Sequence, residues 1–159
     1  ANQSLGNIAG DHFQLRDLIL HAGAVNPLIR IIEDGIEKGN LNLVKIGTKA
    51  LCNLCRGRLL PPFRQVKDTI PVFAKVIMTQ EGIDVLWNAV WALSSLSEGM
   101  NVEESVQMVV ETGVVPYLVK FLDHSFLALV HPCIKTIGNI LTGNNKQGNV
   151  RFFFYGKDF

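Results

Sequence analysis

The chain has 159 residues, 48% hydrophobic and 18% charged, with a formal net charge of +1. This composition supplies a large core and excludes an intrinsically disordered chain. A near-neutral balance gives no global bias toward nucleic acid, no apolar run reaches the roughly 18 residues of a membrane span, and no charged-then-apolar leader opens the sequence.

Taken in order, the chain reads as helices separated by glycines and prolines. Residues 1–9 read as the last helix of a repeat, with Gly10 able to end it. Phe13, Leu15, Leu18, Ile19 and Leu20 form the apolar side of a short helix, with Arg16 and Asp17 expected outside. Gly23 breaks it. Pro27 suits a first helical turn, and Leu28, Ile29, Ile31, Ile32 and Ile36 follow at helical spacing. Gly39-Asn40 reads as a loop, and Leu41 to Cys55 as a long helix stopped by Gly57. Pro61-Pro62 cannot lie inside a helix, so only a turn is expected near Phe63–Val66. Asp68 is the expected cap of the helix carrying Pro71, Val72, Phe73, Val76 and Ile77. Ile83–Leu96 is the most apolar helix. Asn101 is expected to cap Val102–Val110, with Glu103 and Glu104 in the favoured first turn. Pro116 opens Tyr117–Leu122. Ser125 is expected to cap Phe126–Leu141, kinked at Pro132.

Two series of residues repeat along this pattern. Four similar nine-residue stretches begin at Gln3, Lys49, Trp91 and Lys135, with Leu or Ile at the third position and Ile or Leu at the sixth. Three carry Asn at the fifth: Asn7, Asn53 and Asn139. Pro27, Pro71 and Pro116 keep step with them. A shared period of about 42–47 residues marks a helical solenoid of the armadillo or HEAT type. The expected fold is all-α, an armadillo-repeat right-handed superhelical solenoid of about three to four three-helix repeats. Repeats are expected over residues 1–147, the first represented only by its last helix, and a non-repeat tail over 148–159. The polar loop Asn144–Asn149 and the aromatic Val150–Tyr155 do not continue the pattern. Both ends read as cut.

The order of motifs resembles the importin α family over roughly residues 1–147. The resemblance rests on Leu5-Gly-Asn-Ile-Ala-Gly-Asp11, Arg16-Asp17, Gly23-Ala-Val-Asn-Pro-Leu28, and Asn53-Leu-Cys-Arg-Gly57 with Pro61-Pro62. It continues with Trp91-Ala-Leu-Ser94, Leu96-Ser97, Gly138-Asn139-Ile140 and Thr142-Gly143. The stretch looks like the third helix of that family's third repeat, followed by repeats four and five or their equivalents. In that family the third helices line a concave groove that binds nuclear localisation signals as extended peptides. The resemblance therefore implies that Asn7, Asn53 and Asn139 hydrogen-bond a peptide backbone, since an amide both donates and accepts. It implies that Trp91 takes the stem and head of a Lys or Arg. Asp11 would pair with the key lysine of a signal, Asn101 would face the peptide, and Lys135 falls where the family has a groove Arg. No cofactor is implied. The partners would be proteins bearing basic signals, with no membrane partner, and the location cytoplasm and nucleus.

The departures from the family weaken that expectation. The family's Trp is replaced by Gln3 and by Lys49. Each lost aromatic wall removes a cation–π contact of about 0.5–2 kcal/mol, and Lys49 adds a positive charge where lysines should dock. Asn88 stands where the family usually has Asp, and Ile46 where it usually has Asn. Arg56 belongs to the altered groove set, and Asp84 and Glu98 keep some acidity. The family's basic segment that recruits importin β is not among these residues, nor are the repeats that carry the second signal site. Weak or altered binding of ordinary Lys-rich signals is expected.

Other signals have plainer readings. Cys52 and Cys55 have CxxC spacing, but the context is helical rather than βαβ and only Cys133 and His131 lie elsewhere as a loose pair, so buried reduced thiols are expected instead of a redox or zinc site. His12, His21, His124 and His131 form no catalytic or zinc motif, and no phosphate loop or nucleophile elbow is present, so no enzyme is expected. From Lys45 to Lys67 the charges are all positive: Lys45, Lys49, Arg56, Arg58, Arg64 and Lys67. The strip reads as a solvated face and loop. The alternatives are an armadillo scaffold whose groove takes a non-basic or acidic protein partner, or nucleic acid held through phosphates along Lys45–Lys67.

Overall fold

The computed structural model describes residues 13–143. Gln3, Asn7, Asp11, the expected boundary at 147 and the tail lie outside the described residues.

Nine helices are described, in three sets of three. The first set is α1 (Phe13–His21), α2 (Val25–Glu37) and α3 (Leu41–Cys55). The second is α4 (Phe63–Val66), α5 (Ile70–Thr79) and α6 (Ile83–Leu96). The third is α7 (Val102–Glu111), α8 (Val115–Lys120) and α9 (Leu127–Gly143). As the proline pair requires, α4 is a single turn, and the 3₁₀ turn Lys67–Thr69 carries the chain into α5. A second 3₁₀ turn, Phe121–Asp123, follows α8.

Equivalent helices stack on one another. Within a set the second helix packs on the third, α2 on α3 and α5 on α6. Between sets, α3 packs on α6 and α6 on α9, while α2 meets α5. A third helix is thus enclosed by the second helix of its own repeat and by its neighbours. That explains why α3 is buried without interruption from Ala50 to Cys55, and why α6 reads as apolar almost all round. Ile32, Leu51, Leu54, Ile70, Phe73, Leu93, Leu118 and Leu129 are fully enclosed. Each such side chain contributes roughly 1.5–3 kcal/mol of transfer free energy, so the core runs the length of the stack.

Several helix ends differ from expectation. Asn40, read as loop, caps α3: its Oδ1 accepts from Leu43 N–H at 3.2 Å. Asp68 lies inside the 3₁₀ turn and does not cap α5, whose first residues Ile70-Pro71 follow Thr69. Pro71 lowers the need for a cap by removing one unsatisfied donor. Asn101 occupies the cap position of α7 but its side chain makes no cap bond. Phe126 N–H, beside the expected cap Ser125, is taken by His124 Nδ1 at 3.0 Å. α9 runs through Pro132 without a break. The carbonyl left without a donor there belongs to exposed Ala128 in the first turn, where water can satisfy it.

The largest correction concerns α1. Arg16, expected outside, is 1% exposed, while Phe13, Leu15 and Leu18 are exposed. Its guanidinium enters the stack because all three of its nitrogens find acceptors. Nε and Nη2 bond Asp17 Oδ1 at 2.9 and 2.7 Å. Nη1 donates to the carbonyl of Arg56 at 3.3 Å and to that of Leu59. A planar five-donor group can saturate a loop in this way. Gly57 lies at φ +146°, and a Cβ there would stand 3.0 Å from Arg16 Nη1. The loop that ends α3 is therefore built around the arginine.

Cys52, Cys55 and Cys133 are free buried thiols. Burial pushes all three up to about 12, with the Cys52 thiol slightly relieved by Arg56 and the Cys55 thiol by its hydrogen bond to Thr69. Unfolded thiols ionise near 9.0. Between 9 and 12 the unfolded chain therefore binds fewer protons than the folded one, and stability falls as pH rises. Urea unfolding at pH 8, 9.5 and 10.5 should show that loss. At pH 8 a thiol reagent should label the native protein slowly and the unfolded protein at all three sites. Rapid native labelling of Cys52 or Cys55 would contradict their burial.

Candidate functional site

The third helices α3, α6 and α9 carry three of the four expected groove stretches and stack side by side. Their exposed faces follow helical spacing. Lys45 and Lys49 stand one turn apart on α3. Asp84, Trp87 and Trp91 rise along α6, the last two at i and i+4 and so on one face. His131, Lys135 and Asn139 rise along α9.

An aromatic–cation ladder runs across these helices. The guanidinium of Arg56 lies 5.9 Å from the ring centre of Trp87. Trp87 and Trp91 are 6.4 Å apart and tilted by 56°. Trp91 meets His131 edge-on at 5.6 Å, and Lys135 Nζ lies 5.9 Å from the Trp91 ring centre. Both cation distances fall within the roughly 6 Å at which a ring face attracts a cation. Both tryptophans are half-buried, packed against the core on one side.

The polar groups of the row are held by one another. Asn53 is 4% exposed, and its Oδ1 accepts from Arg56 Nε at 3.2 Å. Asn139 Nδ2 donates to Ser97 Oγ at 3.0 Å, and that buried hydroxyl donates onward to the Ser94 carbonyl at 3.0 Å. Asn88 turns back on its own helix, Nδ2 donating to the Asp84 carbonyl at 2.6 Å. Asp84 Oδ2 pairs with Lys45 Nζ at 2.6 Å, joining α6 to α3. Glu98 Oε1 lies 2.5 Å from Lys135 Nζ, joining the end of α6 to α9. That oxygen makes no aligned hydrogen bond, so the pairing is chiefly coulombic. Lys49 is exposed and has no partner among the described residues.

Asn101 lies apart from the ladder. It lines an edge cleft of about 600 Å³ together with Phe13, Leu60, Pro62 and Met100. Glu98 borders the cleft as well as pairing with Lys135. Sequence reasoning assigned no role to Trp87, Ser97 or His131. The four-residue spacing of Trp87 and Trp91 was the available signal for the first. No local signal marks the other two, because their partners lie on different repeats.

Three of the six cations of the Lys45–Lys67 segment are already engaged. Lys45 is paired with Asp84, Lys67 with Glu104 at 3.0 Å, and Arg56 lies on Trp87. Exposed pairs of this kind add little stability, about 0–1 kcal/mol each. They do neutralise the charge a phosphate backbone would need.

Three-helix repeats whose third helices form a continuous row define the armadillo class of solenoid. Residues 103–142, spanning α7 to α9, match the Armadillo/beta-catenin-like repeat family. A structure of computationally designed armadillo repeat proteins for modular peptide recognition superposes with a TM-score of 0.79 at 25% identity, covering 92% of this chain and 59% of that one. Importin subunit alpha-1b of Oryza sativa subsp. japonica is 40% identical over 144 residues, which is 91% of this chain and 26% of that protein. Importin subunit alpha-2 of Arabidopsis thaliana is 42% identical over 121 residues, covering 76% and 22%. The chain spans about a quarter of the length of these relatives. It is an importin-α-like armadillo-repeat region.

Proposed function

We propose that the row formed by α3, α6 and α9 holds an extended peptide, and that the chain acts as a nuclear-import-adaptor-like module for basic nuclear localisation signals, working in cytoplasm and nucleus. The observation that carries this reading is the Trp87–Trp91 ladder flanked by Asn53 and Asn139 on three successive third helices. Aromatic faces take alkyl stems and cationic heads, and amides at equivalent positions of the first and third sets can bond a peptide backbone on either side of the ladder. The relatives are named as importin subunits alpha, and the designed armadillo proteins are described as made for peptide recognition. Asp84 and Glu98 supply the acidity, Asn101 lies apart from the row in the neighbouring cleft, and Gln3, Asn7 and Asp11 would extend the row.

Affinity for Lys-rich signals is expected to be low, because Lys49 places an exposed cation beside the row and Asp84 and Glu98 are already paired. The same charges favour a second reading, an acidic segment of a protein partner lying along Lys49 and Arg56. Fluorescence anisotropy with a labelled Lys-rich peptide and a labelled acidic peptide at physiological salt separates the two. For the basic peptide, Lys49→Trp should tighten binding about tenfold, since it replaces a repulsive charge with an aromatic wall. Submicromolar binding of the basic peptide by the unmodified chain would refute the expected weakness. If a folded chain binds neither peptide, the peptide-groove reading fails.

A further inference from the structure

We propose that Lys135 is a resident competitor for the face of Trp91, so that a basic peptide must displace it, and that this lysine sets the groove's selectivity. The inference rests on the peptide-groove reading and adds a residue that governs specificity within it.

The geometry is that of an occupied site. A peptide lysine on Trp91 would need its ammonium above the ring and a carboxylate near it. Lys135 supplies that ammonium, 5.9 Å from the ring centre, and Glu98 supplies the carboxylate, 2.5 Å from Nζ. The chain thus fills the position with its own cation and counter-ion. His131 also packs against the Trp91 ring, nearly perpendicular to it at 5.6 Å.

Arg56 on Trp87 is a similar pair, but it is anchored more firmly. Its Nε is tied to buried Asn53, and its carbonyl is held by buried Arg16. Among the described residues the ammonium of Lys135 is paired with Glu98 alone, and its side chain is 42% exposed. An ammonium on a flexible stem is also easier to move than a hydrogen-bonded planar guanidinium. Of the two resident cations, Lys135 is the one a ligand can replace. Replacement transfers Glu98 and the Trp91 face to the incoming cation and releases Lys135 to solvent.

The test uses the full chain and a labelled octapeptide of alternating Lys and Arg, titrated by anisotropy at low and physiological salt. Lys135→Met keeps the stem and removes the charge. It should lower the dissociation constant about tenfold, the scale of one cation–π contact plus a lifted repulsion. Lys135→Arg keeps a competitor and should stay within about twofold of the parent. Adding Trp91→Leu to Lys135→Met should abolish the gain, which a general change in net charge would not do. Tryptophan emission should shift on peptide addition for Lys135→Met. If the parent binds and Lys135→Met binds equally or more weakly, the competitor proposal is overturned while the peptide-groove reading stands. If no variant binds although circular dichroism shows each to be helical, the peptide-groove reading fails first and the proposal with it.

Discussion

Replacing Arg16 by Leu should lower the unfolding free energy by about 2–4 kcal/mol, the sum of lost charge-assisted hydrogen bonds and imperfect refilling of the space. The side chain is almost wholly enclosed and joins α1 to the loop that closes α3, a link spanning 40 residues of sequence. Leu restores apolar volume but leaves the carbonyls of Arg56 and Leu59 without their donor. Exposed Leu59 can turn its carbonyl to water, which limits the loss. Asp17, only partly enclosed, can rehydrate as well. Urea denaturation at constant m-value measures the change. A loss below about 0.5 kcal/mol would mean that the loop holds its shape without the arginine. A functional consequence should accompany the loss, because Arg56 is both a carbonyl acceptor for Arg16 and the cation lying on Trp87. Loosening the loop should move the Arg56 guanidinium and change tryptophan emission even before unfolding begins.

Gly47→Val should destabilise by about 2–3 kcal/mol, at the upper part of the range for overpacking. A Cβ at Gly47 would stand 2.8 Å from Ile32 Cγ1, and Ile32 is fully buried, so it has little room to yield. The close approach of α2 to α3 depends on this position. Gly47→Ala should cost less, because better helix propensity returns up to about 1 kcal/mol. Gly138, in α9, is the control. A Cβ there meets nothing within 4 Å. Gly138→Ala should therefore be neutral or stabilising by about 0.5–1 kcal/mol. Thermal melts of the three variants check this order. Equal effects at Gly47 and Gly138 would show that propensity, not interhelical distance, governs α3.

The sequence alone determined the repeat, the all-α class and the positions of the long helices. α3 and α6 fall at the residues read from the pattern, because glycine and proline stops and apolar spacing act locally. The reduction of α4 to one turn was legible for the same reason, since Pro61-Pro62 forbids a helix without help from any neighbour. Phase also assigned equivalent positions to the third helices that stack on one another. Cap chemistry was less legible. Asn40 and Asp68 are both acceptable caps by type, and only the path of the chain decides which side chain reaches a free N–H.

Tertiary structure alone decided what fills the row and what closes the loops. Arg16 belongs inside because two carbonyls some 40 residues away need its donors. Its own helix gives no sign of that need, and amphipathic spacing places it outside. Arg56 on Trp87, Lys135 on Trp91 and Asn139 on Ser97 each join residues of different repeats. A period in sequence reveals that equivalent positions share a face. It carries no record of the distance between one repeat's cation and the next repeat's ring, because that distance is set by how the helices stack.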